Sequence, residues 1–256
     1  MKKVLFAAAL VATLTLTAAA EKAKPPASVH RSGSPDATIK MAPQGGAVPA
    51  LCNPCLFYGG DINPNDPNAT GFSDENTTQV SGSSTYGAVA IPAGHTATIG
   101  GILFNIQASA AFDPSTASYD IETGVTEGVG GTSVASGNGQ VFVQQTGQNV
   151  FGFNEYSIVV KVNPKFVAAG GQTYWFNVTP NCTNVATDGS CQVGRFFASN
   201  TTDGANNLHG SLQPLHEIFF NSPFFGFTWA NWCDAALGLN GTQCGALSFG
   251  LLGTGQ

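Results

Sequence analysis

Asp120 and Glu122 come nearest, by type and spacing, to a reaction centre in this 256-residue chain. Two positions apart on a strand, they share a face at a separation of about 6.5–7 Å. At that distance one carboxyl can protonate a leaving oxygen while the other activates a water held between them, as inverting glycosidases do. Glu155 could complete such a cleft from another element, and His216, beside Glu217, could add an acid–base or metal-binding group. A plainer reading competes. Tyr119 and Ile121 occupy the opposite face, so the two carboxylates can simply point into water, and nothing in the alternation buries either one enough to raise its pKa.

Other residues could bind rather than react. Asp61, Asn63, Asn65 and Asp66 form the densest run of oxygen ligands, the donor type that calcium takes. The same residues favour a turn for purely local reasons. Aromatics crowd the last third of the chain, and Trp229 and Trp232 are hard to bury together with Phe224-Phe225. Trp175 sits out of phase with Tyr174 and Phe176. Exposed tryptophans beside Asn and Asp would stack on sugar rings, so Trp175, Trp229 and Trp232 are the candidate carbohydrate-binding residues; a β-sheet core is the alternative place for them. No Gly-x-Ser-x-Gly elbow and no phosphate-cradling glycine spacing occurs.

These groups need a scaffold and a compartment. Lys2 and Lys3, the apolar stretch 4–16 and Ala18-Ala19-Ala20 read as an export signal over residues 1–20. The expected location is secreted or periplasmic, with no membrane insertion. Removing Lys2 and Lys3 leaves seven Lys and Arg against fifteen Asp and Glu, a formal charge of −8. From Cys52 onward the cationic side chains are Lys161, Lys165 and Arg195, which excludes a nucleic-acid partner. An even count of six cysteines in an oxidising compartment favours disulfides between neighbours: Cys52 with Cys55, Cys182 with Cys191, Cys233 with Cys244.

Residues 21–50 are rich in Pro, Ala and Ser and read as a flexible spacer; residues 51–256 are expected to form one domain. Tyr156, Ile158, Val160 and Val162 alternate with Ser157 and Lys161, and Tyr174, Phe176 and Val178 repeat the period of two. The short link ending in Gly170-Gly171 predicts a hairpin between these runs. About ten such runs between Gly, Asn, Ser and Pro clusters predict an all-β fold, a two-sheet antiparallel β-sandwich of jelly-roll type.

The stretch 119–137, followed by Gly152-Phe153-Asn154-Glu155-Tyr156, the segment 171–180 and Phe196-Phe197-Ala198-Ser199-Asn200-Thr201, resembles a known sequence pattern. It is similar to an uncharacterised secreted β-sandwich domain of environmental bacteria, common in exported proteins with a PEP-CTERM sorting tail. The resemblance spans Tyr58 to about Leu251 and implies the fold and export, but no catalytic residue. The sorting tail has no counterpart here, so that route to the surface is not expected. The expected function is a non-catalytic secreted binding module, with carbohydrate as ligand and calcium as a structural ion. An extracellular hydrolase of polysaccharide or ester, and a structural envelope or biofilm protein, are the alternatives.

Overall fold

A computed structural model describes residues 28–30, 49–66, 69–77, 79–108, 114, 116–182, 195–201, 210, 212–232 and 246–255. The described chain is all-β, as expected, and contains no helix. The strands are β1 (Ser28–His30), β2 (Cys55–Tyr58), β3 (Thr70–Ser73), β4 (Asn76–Thr77), β5 (Ser84–Ile91), β6 (Thr96–Ala108), β7 (Thr116–Thr126) and β8 (Gly130–Val150). They continue with β9 (Phe153–Ala169), β10 (Gln172–Cys182), β11 (Phe196–Thr201), β12 (Gln213–Ser222), β13 (Phe227–Asn231), β14 (Ala246–Leu247) and β15 (Phe249–Gly255). Fifteen strands replace the ten or so expected, partly because short pieces such as β4 and β14 carry no alternation to read. No helix among the described residues is long and apolar enough to cross a membrane.

The main pairing path runs β1-β3-β11-β6-β9-β8-β7-β10-β5-β12-β13, with β15 and β2 added along β6. Pairing is antiparallel except between β4 and β10. The 21-residue β8 serves both halves of this sheet. Its first part, from Gly130 to Gln140, pairs with β7, and Val141 to Val150 pairs with β9. The sheet folds over along this strand and stays open at its ends.

Alternation decides what the fold encloses. Phe104, Ile106, Ile158, Val160 and Phe249 from one half meet Val89, Ile121, Phe176, Val178 and Phe220 from the other in one core. The rings of Phe176 and Phe249 lie 5.9 Å apart across the two layers. Burying each such side chain stabilises the fold by about 1.5–3 kcal/mol relative to exposure. The second residue of each pair then points outward, so each layer has an outer face, and the candidate residues lie on those two faces.

Two expectations are corrected here. Residues 156–162 and 172–179 are strands with the predicted inner faces, but they do not form a hairpin. β9 pairs with β6 and β8, whereas β10 pairs with β7 and β5. The Gly170-Gly171 turn instead carries the chain from one layer to the other, with the Gly171 N–H donating to the Ile91 carbonyl at 2.8 Å. A Cβ at Gly170 would sit 2.4 Å from the Pro92 carbonyl, so the crossing needs glycine. The expected spacer is also not wholly apart from the fold: Ser28–His30 pairs antiparallel with β3 as an added edge strand.

Candidate functional site

Asp120 and Glu122 point outward from β7 because Tyr119 and Ile121 are drawn into the core. Glu122 pairs in register with Trp175 of β10. Its Oε2 accepts from the Gly131 N–H at 3.0 Å. Asp120 accepts from the Tyr86 hydroxyl at 3.1 Å and from Ser133 Oγ at 2.5 Å. Glu122 is 7% exposed. Loss of water, then a hydrogen bond with Asp120 and the charge of Asp120, raise its pKa to about 7; the Gly131 N–H opposes this. Burial and the nearby carboxylates also raise the pKa of the Tyr86 hydroxyl, which stays a donor.

This arrangement changes the chemistry open to the pair. Each carboxylate is tied to its own neighbours, Asp120 to Tyr86 and Ser133 and Glu122 to Gly131, while Asp120 acts on Glu122 to hold its proton. They also lie under a cover. Tyr86, Val125, Trp175, Phe219 and Trp229 form a second apolar cluster on this outer face. The Tyr86 and Trp229 rings are 4.7 Å apart. The β7–β8 turn folds over Trp229, with the Gly128 N–H donating to the Trp229 carbonyl at 3.1 Å. Gly130 adopts φ +89°, and a Cβ there would lie 2.4 Å from Trp229 Nε1, so only glycine fits both demands.

The exposed tryptophan face expected from the sequence does not form. Trp175, Trp229 and Trp232 are 7%, 9% and 5% exposed. Trp175 is on the outer face, as its phase indicates, but the hairpin and β13 cover it. Trp232 joins the main core beside Phe72, Phe220 and Phe227. The Nε1 atoms of Trp175 and Trp232 are buried without a hydrogen-bond partner.

Glu155 lies on the other outer face. Ile158, Val160 and Val162 face the core from β9, which turns Glu155 and Ser157 the opposite way. Glu155 is fully buried. It accepts from Ser199 Oγ at 2.9 Å and Thr146 Oγ1 at 3.1 Å. Burial raises its pKa to about 7, those hydroxyls lower it, and the Asp61 charge adds to the rise. Beside it runs a polar layer in which Asn105 Nδ2 donates to Tyr58 Oη and to Ser248 Oγ, while Ser157 Oγ donates to Asn105 Oδ1. With the whole core between them, Glu155 cannot join Asp120 and Glu122 in one cleft. The backbone of His216 lies in β12, but its side chain falls outside the described residues.

The proposed calcium loop is a hydrogen-bonded turn. Tyr58 donates to Asp61. Asn63 Oδ1 accepts from the Asn65 N–H at 3.1 Å, and the Asn63 carbonyl accepts from the Asp66 N–H at 3.0 Å. One Asp61 oxygen and the Asn63 amide oxygen are thus engaged within the protein. Among the described residues no group of three or more His, Cys, Asp or Glu could hold a metal ion. Cys52 and Cys55 form the expected disulfide. Cys191, Cys233, Cys244 and the side chain of Cys182 fall outside the described residues, and with them the other two pairings.

A groove of about 370 Å³ opens on the outer face of β6, β9 and β15. Irregular pairing creates it. Ile99 pairs with Phe166 and Gly101 with Lys161, so residues 162–165 of β9 bulge opposite Gly100 alone. β15 shifts register at Leu252/Gly253 in the same region. A Cβ at Gly253 would lie 2.0 Å from the Thr98 carbonyl, so the strands can close up only with glycine there. Gly100, Gly101 and Gly253 leave the floor without side chains, and Val159, Leu252 and Phe142 supply apolar walls. The far wall is the turn Leu51–Pro54, closed by the disulfide and held to β15 by Gly253 N–H donating to the Pro54 carbonyl at 2.9 Å. Sequence reasoning did not find this groove; the signal it could have used is the scarcity of cations, since Lys161 and Lys165 both line it.

Comparison with protein families, with characterised proteins and with solved structures finds no match for this chain.

Proposed function

We propose that this protein is a secreted, non-catalytic binding module whose ligand sits in the groove between the Leu51–Pro54 turn and β9. One observation carries the reading. The groove is lined by apolar side chains, threonines, an asparagine and two lysines, with no carboxylate, histidine, serine or cysteine. The carboxyl groups that could do acid–base work lie elsewhere, Glu122 beneath an aromatic cover and Glu155 sealed in a polar layer. Its volume is in the range of small-molecule sites, and its few polar groups at an apolar hollow are what orient a ligand. Carbohydrate, expected from the tryptophans, loses that support because they are buried; Phe142, 40% exposed at the groove, offers a ring for stacking instead. Calcium at the Asp61–Asp66 turn would share oxygens that already accept hydrogen bonds, and comparing the melting temperature in chelator and in millimolar calcium tests whether it binds there.

The test is a titration of the protein with a panel of neutral glycans, acidic glycans and hydrophobic acids, alongside turnover assays on glycosides and esters. Binding without turnover is the expected result. A second reading keeps one specific support: Glu122 holds a proton near neutrality, as a catalytic acid must. Turnover that disappears in Glu122→Gln would replace the binding-module reading with a hydrolase.

A further inference from the structure

We propose that the groove is a receptor site for a small organic acid, with the carboxylate at Lys161 and Lys165 and an aromatic or aliphatic body along Phe142, Val159 and Leu252. The proposal deepens the binding-module reading and rests on it.

Charge is the first reason. The chain is formally anionic, and from Cys52 onward its cations are Lys161, Lys165 and Arg195. Arg195 is spent inside the protein, its Nε 2.8 Å from Glu75 Oε1 and its side chain 10% exposed. The other two are exposed and both line this one groove. Neither has a carboxylate within ion-pair distance among the described residues. In a protein with so many more acids than bases, two unpaired ammonium groups at one hollow form its local site for an anion.

Geometry is the second. On a regular strand, residues four apart would share a face but stand far from each other. The bulge of residues 162–165 alters that spacing and directs both lysines to the same hollow. The Lys165 stem runs over Gly100, where a Cβ would meet Lys165 Cε at 3.5 Å, in ordinary contact. The Lys161 ammonium lies 5.1 Å from the centre of the Phe142 ring. The methylenes thus cover apolar floor while the charged ends reach the rim.

The third reason is what surrounds the charge. The exposed large hydrophobic side chains of the described chain include Phe142 and Val167, and Val167 pairs in register with Thr98 of the groove. An apolar hollow with two cations at its edge fits an anion that carries hydrocarbon, not an inorganic ion. At about 370 Å³ the hollow lies at the small end of ligand sites.

The experiment uses matched probes on the full chain. 2-Naphthoate and octanoate are titrated beside their neutral amides, at low and at high salt, with oligogalacturonate as an acidic sugar. Each acid should bind at least about tenfold more tightly than its amide, with the advantage shrinking in salt. A preference for naphthoate or for octanoate then identifies the body, and a preference for oligogalacturonate over both overturns the proposal. Lys161→Gln with Lys165→Gln should abolish the difference between acid and amide while the melting temperature stays the same. Equal binding of acid and amide overturns the proposal and leaves the binding module standing. An acid preference that survives the double substitution places the site elsewhere and also overturns it. Binding of no probe, neutral or charged, overturns both readings.

Discussion

On the β7–β10–β5 face, two carboxylates and two tryptophans are drawn together and then covered by a hairpin and an extra strand. On the β6–β9–β15 face, glycines and register shifts leave side chains out, and two lysines stand at an open hollow. The first face holds the carboxylate pair and two of the tryptophans that look chemical in the sequence; the second holds Glu155 sealed in a polar layer and, beside it, a hollow whose residues look in the sequence like plain strand and turn. The difference teaches that polar and aromatic side chains do not make a site by their chemistry alone. A site needs room, and here room comes from broken strand register and absent side chains, while the groups that invite a functional reading are used to hold elements together.

The separation can be broken in several ways. Trp229→Ala, which empties a packed position against Tyr86, should cost about 3–5 kcal/mol in urea unfolding and leave groove affinity unchanged. A folded variant with lost affinity would show that the covered face also serves the ligand. Next is pH. Glu155 and Glu122 both have folded pKa values raised to about 7, so the folded state holds their protons more tightly than the unfolded one. Stability is therefore full below the ordinary carboxyl pKa and falls as pH rises through 7. For Glu155 alone the loss is about 3 kcal/mol. Asp74, buried and raised in the same direction, adds to the slope. Glu155→Gln should flatten the fall in melting temperature between pH 5 and 8, and parallel profiles for the two proteins would refute the sealed-charge account.

Smaller effects belong to the groove. Replacing Cys52 and Cys55 by alanine opens a very short loop, and the chain-entropy cost is about 2 kcal/mol. The Leu51–Pro54 wall should loosen and ligand affinity should fall by more than stability does. Phe142→Ala, at a position 40% exposed, should change stability by no more than about 0.5 kcal/mol and still weaken binding of both acids and amides. A large stability loss from Phe142→Ala would mean that this wall is structural, and the contrast between the faces would collapse.

Much of this was open to sequence reading, and the misses have physical causes. The alternation at Tyr156, Ile158, Val160 and Val162 and at Tyr174, Phe176 and Val178 identifies strands and their inner faces correctly. It says nothing about partners, because a period of two is the same in a hairpin and in an arch between layers. Trp175 is legible as outward-pointing; its cover by Trp229 and Val125 depends on where β7, β8 and β13 end, which no local pattern carries. Most of β8 shows no alternation, because glycines at 130, 131, 137, 139 and 147 interrupt a 21-residue strand. The Asp120–Glu122 pair was legible as a pair, but its surroundings were not: an average strand distance cannot foresee that Glu122 will be buried beside Asp120 under an aromatic cover. The groove was hidden because it arises from four residues of β9 lying opposite Gly100, a register event between strands some sixty positions apart in the chain.

The floor of that groove has one further consequence, for how such a protein diversifies. A methyl group at Gly100 would make ordinary contact with the Lys165 stem, at 3.5 Å and beyond, whereas one at Gly253 would collide with backbone. Position 100 is therefore free to vary and position 253 is not. Substitution at 100 would make the hollow shallower without reaching the core, so the size of molecule admitted can drift while the scaffold stays the same. The depth of the hollow at position 100 is thus set apart from the core packing, and a lineage could change it without risking the fold.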